Sequence, residues 1–580
     1  MPQLKLFALL RFLRTIRHLK PSQLFWRLRY ALERRTKPQV GSWPEEVGSS
    51  LRDDFPELPP IQPSGPSGTA LVERLEKGVF EHLGRAVEIG RENPHWHLGE
   101  VRRERLWVIT LHYHGWAFAL AQATSATSAA ADLFCHYIDD WITRCAPQRA
   151  GTPALAWNSY AIATRLGWWI RSYRLASCRI FAPQPQLKER FLSSIWQQAE
   201  HLARHLEWDL RGNHLLRDAV GLAMAGRFFR HPAAEAWLQT ATRLASDQVA
   251  EQVLDDGGHF ERSPKYHIDV MEDILLLFNL VEDPEVRRTL RERWAEMARF
   301  LTWTCHPDGQ IARLNDGVPG AACPPQRMLD HGRLIDQPIP PPPSGGRHFP
   351  ETGLVVWHGK AWSVFFDVGP LGPDYQPGHG HADTLTVEVS FRGCRLVVDP
   401  GTYGYDDDDR RCYDRSTASH NTVCIDDRDS SEVWHIFRVG RRARPQDVNV
   451  EIGSEAMTAQ AGHDGYAHML GSPLHRRSLH IREPDEIEVV DRIEGGGRHK
   501  ASCGLLIEPS WKASPRAGGW NLVNGDRRVL VRVSSPVRLD LFAEPRPYHP
   551  EIGQECQVLR VGWRWSGKPP LEVRVLLRGK

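Results

Sequence analysis

Three short stretches crowd reactive side chains against glycine or proline, where a chain turns and can present them. The first reads Glu207-Trp208-Asp209-Leu210-Arg211-Gly212-Asn213-His214. An amide beside an imidazole at a helix-breaking glycine presents both groups at a domain rim; the structural alternative is a helix N-cap, which asparagine favours. The second runs from Asp256-Gly257-Gly258-His259 through Glu261 to Ser263-Pro264-Lys265-Tyr266-His267. Ser263 as cap and Pro264 at the first helical position predict a helix start. Tyr266 then stands in the first turn, at the positive end of the helix dipole, where a phenolate is stabilised; the alternative is a tyrosine that packs at the surface.

The third stretch is Gly378-His379-Gly380-His381-Ala382-Asp383, followed by Asp399-Pro400-Gly401-Thr402-Tyr403 and by Ser416 to Val423 around His420. Histidines two apart on an extended segment point in opposite directions, so one can ligate a metal while the other faces elsewhere. His381, Asp399 and His420 make a candidate His/Asp/His zinc set, since zinc accepts imidazole and carboxylate. The competing reading is three hydrogen-bonded polar residues without metal. Asp406 to Asp409 lacks EF-hand spacing and reads as a solvated loop.

The elements that must hold these clusters fall into two textures. From about Thr69 to Leu329 apolar residues recur at three- and four-residue spacing, as in Leu106, Ile109, Tyr113, Trp116 and in Ile268, Met271, Ile274, Leu275, Phe278. That spacing predicts stacked helical hairpins with one buried face each. Pro338 and Pro340 to Pro343, then Ser344-Gly345-Gly346, break the pattern. Short β-branched and aromatic runs follow, among them Leu354 to Trp357, Trp362 to Phe366, Leu385 to Phe391 and Val529 to Val533. The chain therefore divides into an N-terminal segment and linker (1–68), a helical domain (69–336), a proline-rich linker (337–346) and an all-β domain in sandwich territory (347–580). Each of the 21 tryptophans reads more readily as core than as a sugar platform.

Across 580 residues, 73 Lys+Arg against 71 Asp+Glu give a net charge of +2, which argues against a nucleic-acid binder. No run approaches the roughly 20 apolar residues of a membrane span. Leu4 to Leu10 is interrupted by Lys5 and followed by Arg11, Arg14, Arg17 and Lys20, so no clear signal peptide is read. This interleaving through Arg35 predicts a basic amphipathic helix. It is either a solvated face packed on the next domain or a peripheral membrane contact. Ten scattered cysteines without a C-x-x-C pair read as mostly buried thiols.

In wording and order, Glu207 to Leu216, Asp256 to His267, and Gly378 to Asp383 with Asp399 to Tyr403 and Ser416 to Val423 resemble the heparinase II/III family of polysaccharide lyases. The resemblance implies an incomplete (α/α) toroid followed by an antiparallel β-sandwich. It also implies β-elimination on a uronic-acid polysaccharide, in which a base removes the C5 proton and an acid protonates the departing O4. Asn213 matches the family's amide for the uronate carboxylate, and Arg217, Glu261 and Tyr403 are expected on the substrate. Tyr266 matches the catalytic tyrosine, as acid and, with a lowered pKa, also base. His214 is the alternative base, and His379 reaches over from the β-domain. His381, Asp399 and His420 correspond to the family's metal site, implying a structural zinc that pins the loop of His379. The family suggests the periplasm or cell envelope, with the cytoplasm as the alternative. Two other functions compete. One is a toroid glycoside hydrolase, which needs opposed carboxylates such as Glu207, Asp256 and Glu261. The other is a non-catalytic glycan-binding protein of exopolysaccharide assembly.

Overall fold

Proline sets the rhythm of the helical half. Pro185, Pro232, Pro264 and Pro284 each open a helix, at Pro185–Arg204, Pro232–Gln252, Pro264–Leu280 and Pro284–Trp303. Their fixed φ suits a first turn whose N–H groups have no intrahelical acceptor. The computed structural model describes residues 2–33, 51–98, 105–149 and 151–580. The helix Asn213–Phe228 is buried along nearly its whole length, and its small residues make this possible. A Cβ on Gly221 would lie 2.6 Å from Cα of Ala163 in the helix Ser159–Phe181, and one on Gly226 would lie 2.8 Å from the carbonyl of Ala234. Neighbouring helices thus clamp it on two sides and fix the start of the helix in space.

Two features of this half left no periodic signal. Val79–His82 and Arg85–Glu88 form a small antiparallel hairpin. Residues 51–67 wrap the helices, pairing Leu51 with Phe229 and burying Ile61. The basic N-terminal helix expected to run through Arg35 is two helices, Pro2–Ile16 and Pro21–Glu33, because Pro21 cannot continue the first. Arg34 and Arg35 lie outside the described residues. Together the two helices strap both domains. Arg14 pairs with Glu432 of the β-domain, while Lys20 pairs with Glu251 and Tyr30 donates to the Leu206 carbonyl, both in the helical domain.

The β half is two antiparallel sheets face to face. One has eight strands, with Leu474–Arg482, Glu486–Glu494 and Leu571–Gly579 at its centre. The other has nine, with Trp362–Asp367, Val387–Phe391 and His499–Ile507 among them. Trp357, Trp362, Phe366, Leu479, Ile481 and Trp520 interdigitate between the sheets. The first strand, Gly345–Phe349, already begins inside the stretch read as linker, because Gly345 and Gly346 pair with His358 and Trp357. The strand expected from Leu385 starts at Val387, Leu385 itself having φ +69°.

The domains share a dry seam made by Phe300, Leu314, Phe349, Leu354, Val356 and Phe365. Polar ties flank it. His306 meets Ser390 and Glu388, Arg395 meets Asp308, and Asp256 accepts hydrogen bonds from the backbone and hydroxyl of Thr352. The segment after Trp303 leaves the helical domain along this seam and delivers Asn315 and Asp316 to the loop that holds His379 and His381.

Candidate active site at the domain junction

Gly212 takes φ +61° and ψ −149°, a region open essentially to glycine alone, and caps the helix that begins at Asn213. Asn213 is therefore the first helical residue and not the N-cap. A Cβ on Gly212 would lie 2.4 Å from Oε1 of Glu261 and 3.0 Å from Oε1 of Gln376. That close approach lets the Asn213 backbone N–H donate to Glu261 Oε1 at 3.1 Å. One residue on, His214 Nδ1 lies 3.1 Å from Glu207 Oε2, with about 29% of the His214 side chain open to solvent. Burial pulls the His214 pKa down, but the charge and hydrogen bond of Glu207, with Glu261 and Asp209 adding, carry it above the ordinary value. A neutral His214 with its proton on Nδ1 toward Glu207 leaves Nε2 as the basic nitrogen.

From the other side come Tyr266 and His379. Ser263 caps the helix of Tyr266 by position, but its hydroxyl makes no capping bond. The Tyr266 ring stacks on His379, centroids 3.7 Å apart at 25°. Its hydroxyl is 2.8 Å from that of Tyr405. Burial, then the charges of Tyr405 and Asp316, push the Tyr266 pKa well above the usual phenol value, against the stabilisation that the helix start offers a phenolate. Nε2 of His379 faces Glu261 Oε2 at 3.7 Å. Contacts thus run unbroken from Asn213 through Glu261, His379 and Tyr266 to Tyr405.

Asp316, which sequence reading passed over, organises the far side. Its Oδ2 accepts from His379 Nδ1 at 2.8 Å and its Oδ1 from His381 Nε2 at 2.9 Å, while Arg411 clasps both oxygens. The two histidines therefore converge on one carboxylate instead of pointing apart, because Gly378 to Asp383 is a loop and not a strand. Burial alone would raise the Asp316 pKa, yet Arg411 and the two imidazoles hold it well below the ordinary carboxylate value.

His381, Asp399 and His420 each bring a ligand atom within 4.8 Å of the others'. His420 Nδ1 lies 2.7 Å from Asp399 Oδ2. Among the described residues, His381 Nδ1 and His420 Nε2 are buried without a hydrogen-bond partner, as are Asn213 Oδ1 and Glu261 Oε2. Buried imidazole nitrogens are costly to leave unpaired, and two nitrogens beside a carboxylate are a donor set that fits zinc. Burial, with the Asp399 charge adding, pushes Asp383 up to about 7, and the Asp383 charge in turn helps raise His420.

Two expected substrate residues are placed differently. Arg217 is spoken for: Asp273 at 2.8 Å and Glu272 at 3.5 Å neutralise it beneath Tyr160, which in turn meets His214 at 4.9 Å. Tyr403 lies under Arg410 and against His549, and the tyrosine that meets Tyr266 is Tyr405, two residues later. The carboxylates a hydrolase would use are each engaged within the protein. Asp256 is engaged by Thr352, Glu207 by His214, and Glu261 by Asn213. His267, beside Tyr266, turns to the Met297 carbonyl and is structural.

Residues 75–329 match the family model described as heparinase II/III N-terminus, and residues 341–560 match heparinase II/III-like, C-terminal. A heparin-sulfate lyase of Bacteroides stercoris is 21% identical over 415 residues, covering 61% of this chain. The chain spans about 60% of that relative's length, and 30% of the length of a heparin-sulfate lyase of Bacteroides thetaiotaomicron that is 26% identical over 216 residues. A crystal structure of heparinase III superposes with a TM-score of 0.73 at 15% identity, covering 96% of this chain and 92% of the other. Heparan sulfate lyase from Pedobacter heparinus gives 0.59 at 17% identity, over 92% and 87%. These likenesses establish the shared fold, a helical toroid followed by a β-sandwich.

Proposed function

Because the chain belongs to the heparinase II/III family, we propose that it is a polysaccharide lyase that cleaves a uronic-acid polymer by β-elimination at the domain junction. The observation that carries this reading is the run of contacts from Asn213 through Glu261 and His379 to Tyr266, with His214 next to Asn213 and held by Glu207. His214 keeps a basic Nε2 because Nδ1 is committed to Glu207. Tyr266 keeps its proton because burial disfavours the phenolate.

In the reaction, the Asn213 amide at a helix N-terminus holds the uronate carboxylate, and its donors stabilise the charge that builds there as the C5 proton leaves. His214 Nε2 takes that proton. Tyr266 gives its own to O4 as the glycosidic bond breaks, and Tyr405 holds the phenolic oxygen in place. His379, oriented by Asp316, supports the Tyr266 ring and faces Glu261. Separate base and acid suit a sugar whose H5 and O4 lie on opposite faces; a single tyrosine doing both would need the phenolate that burial opposes. His381, Asp399 and His420 would hold a zinc ion that, when bound, pins the His379 loop by joining two segments of the β-domain.

The test is ultraviolet absorbance of the conjugated C4=C5 bond over a panel of uronate polysaccharides, with Tyr266→Phe and His214→Ala alongside. Absorbance that rises with wild type and not with either variant supports the reading. New reducing ends without absorbance would replace it with hydrolysis.

A further inference from the structure

The N-terminal hairpin leaves a row of apolar side chains in water. On Pro21–Glu33 the residues that face the protein are Gln23, Trp26 and Tyr30. Gln23 is fully buried and donates to backbone carbonyls of Asp209, Leu210 and Tyr375, Trp26 stacks on Trp208, and Tyr30 reaches Leu206. The apolar side chains at the complementary spacing, Leu24, Phe25, Leu28 and Leu32, are 47%, 60%, 64% and 54% exposed. Pro2–Ile16 repeats the arrangement. Arg14 turns inward to Glu432 and Arg11 lies over Trp434, whereas Leu9, Phe12 and Leu13 face out. A helix that leaves its leucines in water has that side built for something else.

Charge identifies the occupant. Residues 2–33 carry seven Lys and Arg and a single acidic residue, Glu33. Arg17 and Arg27 remain exposed on the hairpin, and arginines of the β-domain join them. Exposed Arg438 and Arg444 act on Arg27 and His18, and half-buried Arg441 feels Arg14 and Arg17, while Arg442 turns in to Asp374. A second copy of the chain would bring the same cationic rim against itself and be repelled. An anionic bilayer offers both what the rim and what the apolar face require. Among the described residues no helix is long and apolar enough to cross a membrane, so the hairpin would lie in the interface. We propose that the Pro2–Glu33 hairpin seats the enzyme on an anionic phospholipid surface, with Leu24, Phe25, Leu28 and Leu32 in the headgroup boundary and the arginine rim on the phosphates. Its inner face touches Asp209 and Leu210, just before Gly212 and Asn213, so the candidate active site sits close above that surface.

The experiment is co-sedimentation of the full chain with vesicles of phosphatidylcholine alone or mixed with phosphatidylglycerol, at low and high salt. The comparison set is Phe25→Ser/Leu28→Ser and Arg17→Glu/Arg441→Glu, with melting curves to confirm that each variant folds. Binding to the anionic vesicles alone, weakened at least tenfold by either double variant and by salt, is the expected result. No sedimentation with anionic vesicles, or sedimentation indifferent to both variants, overturns the proposal. So does a dimer in solution that Phe25→Ser/Leu28→Ser dissociates, which would assign the face to self-association. The readout is independent of lyase activity and so fails or succeeds apart from the proposed reaction.

Discussion

The phenol ring of Tyr266 lies 3.7 Å from the imidazole of His379, and the two residues come from different domains. Neither domain alone contains the pair. The acid of the proposed reaction is thus positioned by the seam, and whatever loosens the seam loosens the chemistry.

Tyr266→Phe removes the only proton Tyr266 can deliver. A positioned general acid is worth about 10²–10⁴-fold, and kcat should fall by that order with an unchanged melting temperature. Tyr405→Phe leaves the acid in place and takes away one hydrogen bond to it. A smaller loss, on the order of tenfold, should appear in steady-state rates measured by absorbance.

The folded pKa of His214 is raised. As the base it must be neutral, so the acidic limb of the kcat/KM profile should lie above pH ~6.5, the ordinary histidine value. Glu207→Gln removes the charge that holds the pKa up, and the limb should move to lower pH. The linked stability has the opposite sense. His214 contributes stability that is fully present below the unfolded pKa and lost as pH rises through the higher folded one. Melting curves of wild type and Glu207→Gln should therefore converge with rising pH.

Asp316→Asn leaves the buried Arg411 guanidinium without its carboxylate and removes the acceptor shared by His379 and His381. Uncompensated buried charge typically costs about 3–5 kcal/mol, so denaturant melts should show a loss of that order. A loss below about 1 kcal/mol would contradict the role given to Asp316.

Gly212→Ala places a methyl group against the Glu261 and Gln376 side chains in a backbone conformation that alanine resists. Such strain costs about 1–3 kcal/mol, and because the strained residue sets the Asn213 N–H on Glu261, turnover should fall along with the melting temperature.

Chelation, or His420→Ala, should lower the melting temperature if zinc bridges His381, Asp399 and His420. Elemental analysis should find about one equivalent in the wild type and much less in the variant. Metal-free protein with an unchanged melt would remove the ion from the description.

Much of this site was legible in the sequence because its residues are clustered. Gly212-Asn213-His214, the stretch to Tyr266 and the loop of His379 and His381 each combine a turn residue with reactive groups, and local spacing exposes such sets. Asp316 stands alone in Leu314-Asn315-Asp316-Gly317, an ordinary turn until the seam folds it against His379, His381, Thr402 and Arg411, four partners from the β-domain. Tyr405 was missed for Tyr403 because two tyrosines two apart cannot be ranked without the loop's path. Helices against strands were readable from periodicity. The break at Pro21 needed only the rule that proline ends a helix, while the hairpin at Val79–Glu88 is too short for any period to register.

The strap made by residues 2–33 bears on a question of mechanics. The two helices are tied to both domains, through Arg14 and Glu432 on one side and Lys20 and Glu251 on the other. Two helices anchored at both ends limit how far the domains can part, beyond what the apolar seam already holds.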